Sequence, residues 1–263
     1  MKFGMPALVE CKDVYDCIDV AKKNGLDFVE INMSFPQYLP DLLDIPRLKK
    51  ALSDNGIFLT IHTDEQMNPF DFNKSVAECY FEEMRKVIRF AVDLGIPTIN
   101  MHLLRGVYVT LPGKVVLLTD VYKEEYLRRL DDFIAMCERE IGDAPLKICI
   151  ENVDTNAFTK SQLEAMPKFM ASDVFFLTLD VGHEMCLEYK DSHVFEKYPD
   201  KLYHMHLHDC DGKKPHLALG DGIMDIEKKL SGFHGPNCLV EVKTIEGLEK
   251  SAKYLKAKGY ISR

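Results

Sequence analysis

The sequence has no surplus of positive charge. Lys and Arg number 33 against 42 Asp and Glu, a formal net charge of −9, and the pI is near 5.5. Proteins that grip a phosphate backbone usually show the opposite balance, so nucleic acid is not an expected partner. No apolar run approaches the ~18 residues of a membrane span, so no membrane partner is expected either. The opening stretch MKFGMPALVECKDVYD is a short apolar segment met at once by acids and does not read as a signal peptide. The eight cysteines (11, 17, 79, 137, 149, 186, 210 and 238) form no CxxC pair. They read as reduced, buried small hydrophobes, which points to a cytoplasmic protein. No low-complexity linker divides the chain, so residues 1–263 read as one domain.

What recurs is a short apolar run followed by an amphipathic one. KFGMPALVE precedes KDVYDCIDVAKKNG, and DFVEINM precedes DLLDIPRLKKALSDNG. In both, the closing Asn-Gly is a helix stop. IFLTIHTD, PTINMHLL, LKICIENVD, VFFLTLDVGHE, LYHMHLHD and NCLVEVK open six further units of the same kind. The runs are continuous rather than alternating, as expected of parallel strands buried on both faces. Eight units predict an α/β protein built as a single (β/α)8 TIM barrel. A doubly wound open sheet is the alternative, but no GxGxxG loop follows the first run.

In a barrel the chemistry sits at the C-terminal ends of the strands. The third run ends at His62, the fourth at His102 and the fifth at Glu151. The sixth ends at Asp180 with His183 just beyond, the seventh offers His206 and the eighth Glu241. One such residue would mean little. Six in succession, at one level, make a ring of carboxylates and imidazoles that is costly to desolvate unless a cation neutralises it.

ENVD, LDVGH, HMHLHD and LVEV, in this order, with HLALGDGIMDI between the last two, resemble the xylose isomerase-like TIM barrels. That superfamily holds sugar isomerases, ketose 3-epimerases, inosose dehydratases and endonuclease IV. The resemblance implies that Glu151, Asp180, His206 and Glu241 bind a divalent metal ion. Three carboxylates and one imidazole suit Mn²⁺ first, with Zn²⁺, Mg²⁺ or Co²⁺ as alternatives. It implies an isomerase or epimerase acting on a small-molecule sugar, polyol or sugar phosphate. Glu151 and Glu241 would carry protons through a metal-stabilised enediolate. Dimers are common in that superfamily, and a homodimer is an option here.

Further residues follow from the same resemblance. His62, His102, His183 and His216 would serve a second metal or the substrate. Two other activities share the motifs: a lyase of the inosose dehydratase type, and an endonuclease IV-like nuclease on abasic DNA. Against the nuclease, Lys214 stands where its third zinc would have an Asp. Glu30 matches a family Glu that lines the pocket floor or pairs with a cation. His204 reads as a structural group behind His206. His208 reads as a substrate contact or as a plain rim histidine, and Asp209 as its support. The 3-epimerases carry a second Glu soon after the strand-5 ligand and an Arg after the strand-7 His. Here ENVDTNAF and HDCDGKKPH have neither. Arg105, Lys213 and Lys214 would bind a phosphate or carboxylate on the substrate, or are solvated loop charges. Gly182, Gly220 and Gly222 read as sharp turns near the site.

Overall fold

In the computed structural model, which describes residues 1–262, eight parallel strands close into a barrel in chain order. They are β1 (Lys2–Pro6), β2 (Phe28–Asn32), β3 (Phe58–His62), β4 (Thr98–His102), β5 (Lys147–Glu151), β6 (Phe175–Asp180), β7 (Leu202–Leu207) and β8 (Asn237–Val240). The ring is closed by β1 against β8, with Lys2 opposite Asn237 and Gly4 opposite Leu239. The expected single (β/α)8 TIM barrel is what the chain forms.

The helices follow the strands. They are α1 (Val14–Asn24), α2 (Ile45–Asn55), α3 (Lys74–Leu94), α4 (Leu118–Val121), α5 (Lys123–Ile141), α6 (Lys160–Ala171), α7 (Val181–Cys186), α8 (Ser192–Lys197), α9 (Ile226–Gly232) and α10 (Ile245–Ala257). Their ends follow from local chemistry. Asp13 caps α1 by accepting from the amides of Tyr15 and Asp16. The two Asn-Gly stops end α1 and α2 with Gly25 and Gly56 in the left-handed region, at φ 74° and 61°. Thr159 and Gln162 form a capping box at the start of α6. The Gln162 amide also donates to the carbonyls of Leu103 and Leu104, tying α6 to the chain that leaves β4.

One element was not legible. After β4 a hairpin pairs Tyr108–Leu111 with Lys114–Leu117 across Pro112 and Gly113, with Gly113 at φ 82°. The first of these strands is exposed throughout, so no apolar face marks it.

Strand register sets the level of the site. His206 lies opposite Asp180 on one side and Leu239 on the other. His102 lies opposite Glu151, and Glu30 opposite Thr60. Below this level the barrel is filled by aromatics: Phe28 stacks on Phe58 at 5.0 Å, with the His204 ring 6.0 Å from Phe28. The metal-competent residues gather at the mouth, above a floor where these rings sit with the buried Asn237–Thr98 pair.

Candidate metal centre

Glu151, Asp180, His206 and Glu241 meet at that level. One ligand atom from each lies within 4.8 Å of every other. His206 Nδ1 is 2.9 Å from Glu241 Oε2, 3.1 Å from Glu151 Oε1 and 3.9 Å from Asp180 Oδ2. Glu151, Asp180 and His206 are buried, and Glu241 is mostly so, its side chain 12% exposed. His206 Nδ1 and Glu241 Oε2 are close yet make no hydrogen bond, although both are buried. Buried polar atoms are rarely left so, and two aimed at one point are what a shared cation explains. A set of three carboxylates and one imidazole therefore fits a divalent metal ion on this structure's own geometry.

The electrostatics agree. Burial alone would raise the pKa of Glu151 and Glu241. His206 outweighs it in both, helped by His102 for Glu151 and by Lys243 for Glu241, and both carboxyls are held well below their usual range. Burial pulls His206 down, but Glu151, Glu30 and Glu241 push it well above an ordinary histidine. The surplus of anions attracts a proton as it would attract a metal cation.

Three of the four candidate ligands have close neighbours on the side away from the shared point. Glu30 reaches His206 Nε2 at 3.1 Å with one oxygen and His204 Nε2 at 3.2 Å with the other, which also accepts from Thr60 Oγ1 at 2.8 Å. The two imidazole contacts are at ion-pair distances without hydrogen-bond geometry; with a metal on Nδ1, a carboxylate behind the imidazole would raise its basicity. Asp180 Oδ1 accepts from the His183 amide at 2.7 Å, capping α7, and lies 3.0 Å from His208 Nε2. Glu151 Oε2 accepts a short hydrogen bond from the Asn100 amide.

His62, His102 and Glu151 form a second group with ligand atoms within 4.8 Å of one another. His62 Nε2 and His102 Nε2 lie 3.4 and 3.3 Å from Glu151 Oε2. His62 Nδ1 donates to the Thr63 carbonyl, since a carbonyl can only accept. Burial opposes a charge on His62, but Glu151 outweighs it and takes its pKa up to about 9. His183 and His216 approach each other at 3.4 Å between their Nε2 atoms. Burial brings His216 down to about 4. Its backbone sits at φ 61°, a conformation non-glycine residues rarely adopt and one that clusters at functional sites.

A cavity of about 360 Å³ opens above these groups. Glu30, His62, His102, Glu151, His183, His216 and Glu241 line it, with Pro6, Leu8, Phe35 and Val153 among its apolar walls. His208 is not at the rim. It is fully buried, with Nδ1 accepting the His216 amide at 2.8 Å and Nε2 facing Asp180. Geometry replaces the substrate-contact reading with a supporting one. Asp209 also acts on the chain rather than the site: its carboxylate accepts from the amides of Cys210, Gly220 and Met224 and pins the loop beyond β7. Gly182 is required not by a turn but by room, since a Cβ there would meet the His208 ring at 1.9 Å.

The three suggested anion binders are elsewhere. Arg105 packs over the Tyr108 ring of the hairpin, 5.2 Å from its centre. Lys213 and Lys214 are exposed on the pinned loop, where their amides donate to Asp211. None lines the cavity. The cation that does is Lys243, whose ammonium is 2.6 Å from Glu241 Oε1. Nothing singled it out in sequence, because an exposed lysine two residues past a ligand looks like any other.

Comparison with known proteins places this arrangement. The sequence matches no curated protein. Among solved structures, a D-tagatose 3-epimerase-like protein is 24% identical, with a TM-score of 0.77 over 98% of this chain and 96% of that one. The 3-keto-D-glucoside 4-epimerase YcjR of E. coli is 14% identical, with a TM-score of 0.76 over 98% and 99%. The IOLI protein, whose structure holds a zinc atom, is 17% identical, with a TM-score of 0.74 over 99% and 98%. At these identities the likeness is one of fold. The family model of the xylose isomerase-like TIM barrel matches residues 18–258. The chain belongs to the xylose isomerase-like TIM barrel family.

Proposed function

We propose that the protein is a divalent-metal-dependent isomerase or epimerase of a sugar or polyol. The observation that carries this is the convergence of Glu151, Asp180, His206 and Glu241 on one buried point under an open cavity. Those four residues would hold the metal, Mn²⁺ first by their oxygen-rich donor set and Zn²⁺, Co²⁺ or Mg²⁺ otherwise. When bound, the metal supplies Lewis-acid polarisation of a substrate carbonyl. Sugar-active proteins among the structures of like fold support the substrate class.

The chain's own residues supply the proton traffic. Glu151 and Glu241 are both held as anions, so each is a base at neutral pH. They come from strands three apart in the barrel wall, so a substrate between them meets a carboxylate on two sides. One removes the proton from the carbon beside the carbonyl. Its return to the other face of that carbon epimerises the sugar, and its return to the neighbouring carbon isomerises it. Loss of a β-hydroxyl instead would dehydrate the substrate. The apolar wall of Pro6, Leu8 and Phe35 gives a sugar ring or chain a surface to lie on.

Two measurements test this reading. Elemental analysis should find about one tightly held divalent ion per chain, and Asp180→Ala or His206→Ala should lose most of it. Full retention in both variants rejects the ligand set. Ketoses and polyols incubated with the metal-loaded protein in D₂O should then exchange a carbon-bound proton. An absence of exchange across the whole panel rejects proton-transfer chemistry.

A metal-dependent nuclease is the second reading. The observation that favours it is the His62–His102–Glu151 group, which would hold a second ion.

A further inference from the structure

Lys243 is exposed, its side chain 58% accessible, and an ion pair at such a position usually contributes little to stability. Its placement is nonetheless tightly determined. The Glu241 amide donates to the Leu207 carbonyl at 2.9 Å, which extends the β7–β8 ladder by one residue. Val242 follows with its side chain buried and its amide on the Val240 carbonyl at 3.1 Å. That anchors the backbone at Glu241 and between the two paired residues. Lys243, two residues on, reaches back over Glu241, and Nζ donates to Oε1 at 2.6 Å. This is a short, charge-assisted hydrogen bond.

The other oxygen of Glu241 behaves differently. Oε2 is buried, without a hydrogen-bond partner, and 2.9 Å from His206 Nδ1, also unpartnered. The carboxylate is thus divided: one oxygen occupied by the ammonium, the other aimed at the ligand centre. Glu151 is divided in the same way, whereas Asp180 is held at both oxygens, with His208 Nε2 3.1 Å from its Oδ2. Asp180 Oδ1 accepts the His183 amide, and Glu151 Oε2 accepts from Asn100, while Glu151 Oε1 faces His206. In those two the holding donors are buried: a backbone amide and the His208 ring for Asp180, and a side-chain amide for Glu151. For Glu241 the exposed Lys243 fills that role.

We propose, resting on the metal-dependent reading above, that Lys243 is a positioning residue which occupies one oxygen of Glu241 so that the carboxylate offers the metal a single, fixed oxygen. Without it, Glu241 is free to rotate or to bind through both oxygens, and the four donors no longer meet at one point. The sign of the effect separates this role from simple charge. An ammonium beside a cation site repels the cation, so removing it by Coulomb's law alone tightens metal binding. Removing a positioning donor weakens it, typically by 10- to 100-fold for groups that orient a ligand.

The experiment compares Lys243→Met, which keeps the length of the side chain, with Lys243→Arg, which keeps the cationic donor. Wild-type and variant proteins are stripped of metal, checked by circular dichroism, and titrated calorimetrically with Mn²⁺ and with Zn²⁺. Lys243→Met should bind each ion roughly ten-fold or more weakly, and Lys243→Arg should recover most of the loss. Affinity in Lys243→Met that is unchanged or tighter overturns the positioning role, as does equal weakening in both variants. Asp180→Ala is titrated alongside. If it too binds as wild type, the metal site itself is misassigned. If it abolishes binding while Lys243→Met does not weaken it, only the role of Lys243 fails.

Discussion

His208 Nε2 lies 3.0 Å from Asp180 Oδ1, while its Nδ1 receives the backbone N–H of His216 at 2.8 Å. A carboxylate can only accept, so Nε2 carries a proton toward Asp180, and Nδ1 also lies 3.2 Å from the Asp209 carbonyl. The imidazole therefore links a candidate metal-binding carboxylate to the loop that carries His216. His208→Ala should leave Asp180 without that donor and lower metal affinity by about 10- to 100-fold. Competition against a chelator of known affinity measures this. Wild-type affinity in a folded His208→Ala variant would mean that the His183 amide alone orients Asp180.

Gly182 supplies the space for that ring. A methyl group at this position would overlap His208, so the ring or α7 must move. Gly182→Ala should cost about 1–3 kcal/mol, the usual range for overpacking a filled interior. Thermal unfolding and metal affinity should fall together, because the displaced ring is the one that holds Asp180. A variant as stable as the parent would show that the segment gives way freely.

The two glutamates should be separable. Gln keeps the shape and one carbonyl oxygen but cannot accept a proton, so Glu151→Gln and Glu241→Gln should each lose about 10²–10⁴ in turnover. Weakened metal binding would add to that loss. If the carboxylates serve opposite faces of the substrate carbon, one variant should still exchange that carbon's proton with deuterium while forming no product. The roles should swap when the reaction is run from the product. Near-normal turnover in both would shift the proton carrier to another residue, with His183 first to examine.

Abasic-site duplex DNA should remain intact in the presence of the protein and Zn²⁺ or Mn²⁺. The net charge is −9, and the candidate anion binders Lys213 and Lys214 stand away from the cavity. Efficient nicking that disappears in Glu151→Gln would put the nuclease first.

The strand ends were legible because the rest of each strand is so apolar. Asp180 ends FFLTLD and Glu151 ends KICIE, and a charged group at the edge of such a run is conspicuous. His204 is readable on the face of His206, one pair deeper, since alternate residues of one strand share a face. Glu30 was seen, but not that it would bridge both rings, because that contact joins β2 to β7 across the barrel. Loops hid the rest. Nothing in HDCDGKKPH tells whether a lysine turns in or out, and the structure turns Lys213 and Lys214 out. Lys243 and the burial of His208 were hidden for opposite reasons. One is an exposed residue with a specific partner, and the other a buried residue that periodicity placed at a loop.

The closure of the wall by β1 against β8 bears on when the site comes into being. The strand that opens the barrel has its second neighbour only after some 230 residues have followed it, and that neighbour leads directly into Glu241. Contacts so far apart in sequence are slow to form, because the loop entropy must be met before the pairing rewards it. A chain emerging from the ribosome can thus hold Glu151, Asp180 and His206 in order of synthesis, yet lacks the fourth donor until its last strand docks. A metal ion would then be captured late, as a clasp on a finished wall, rather than early as a seed around which the wall is built.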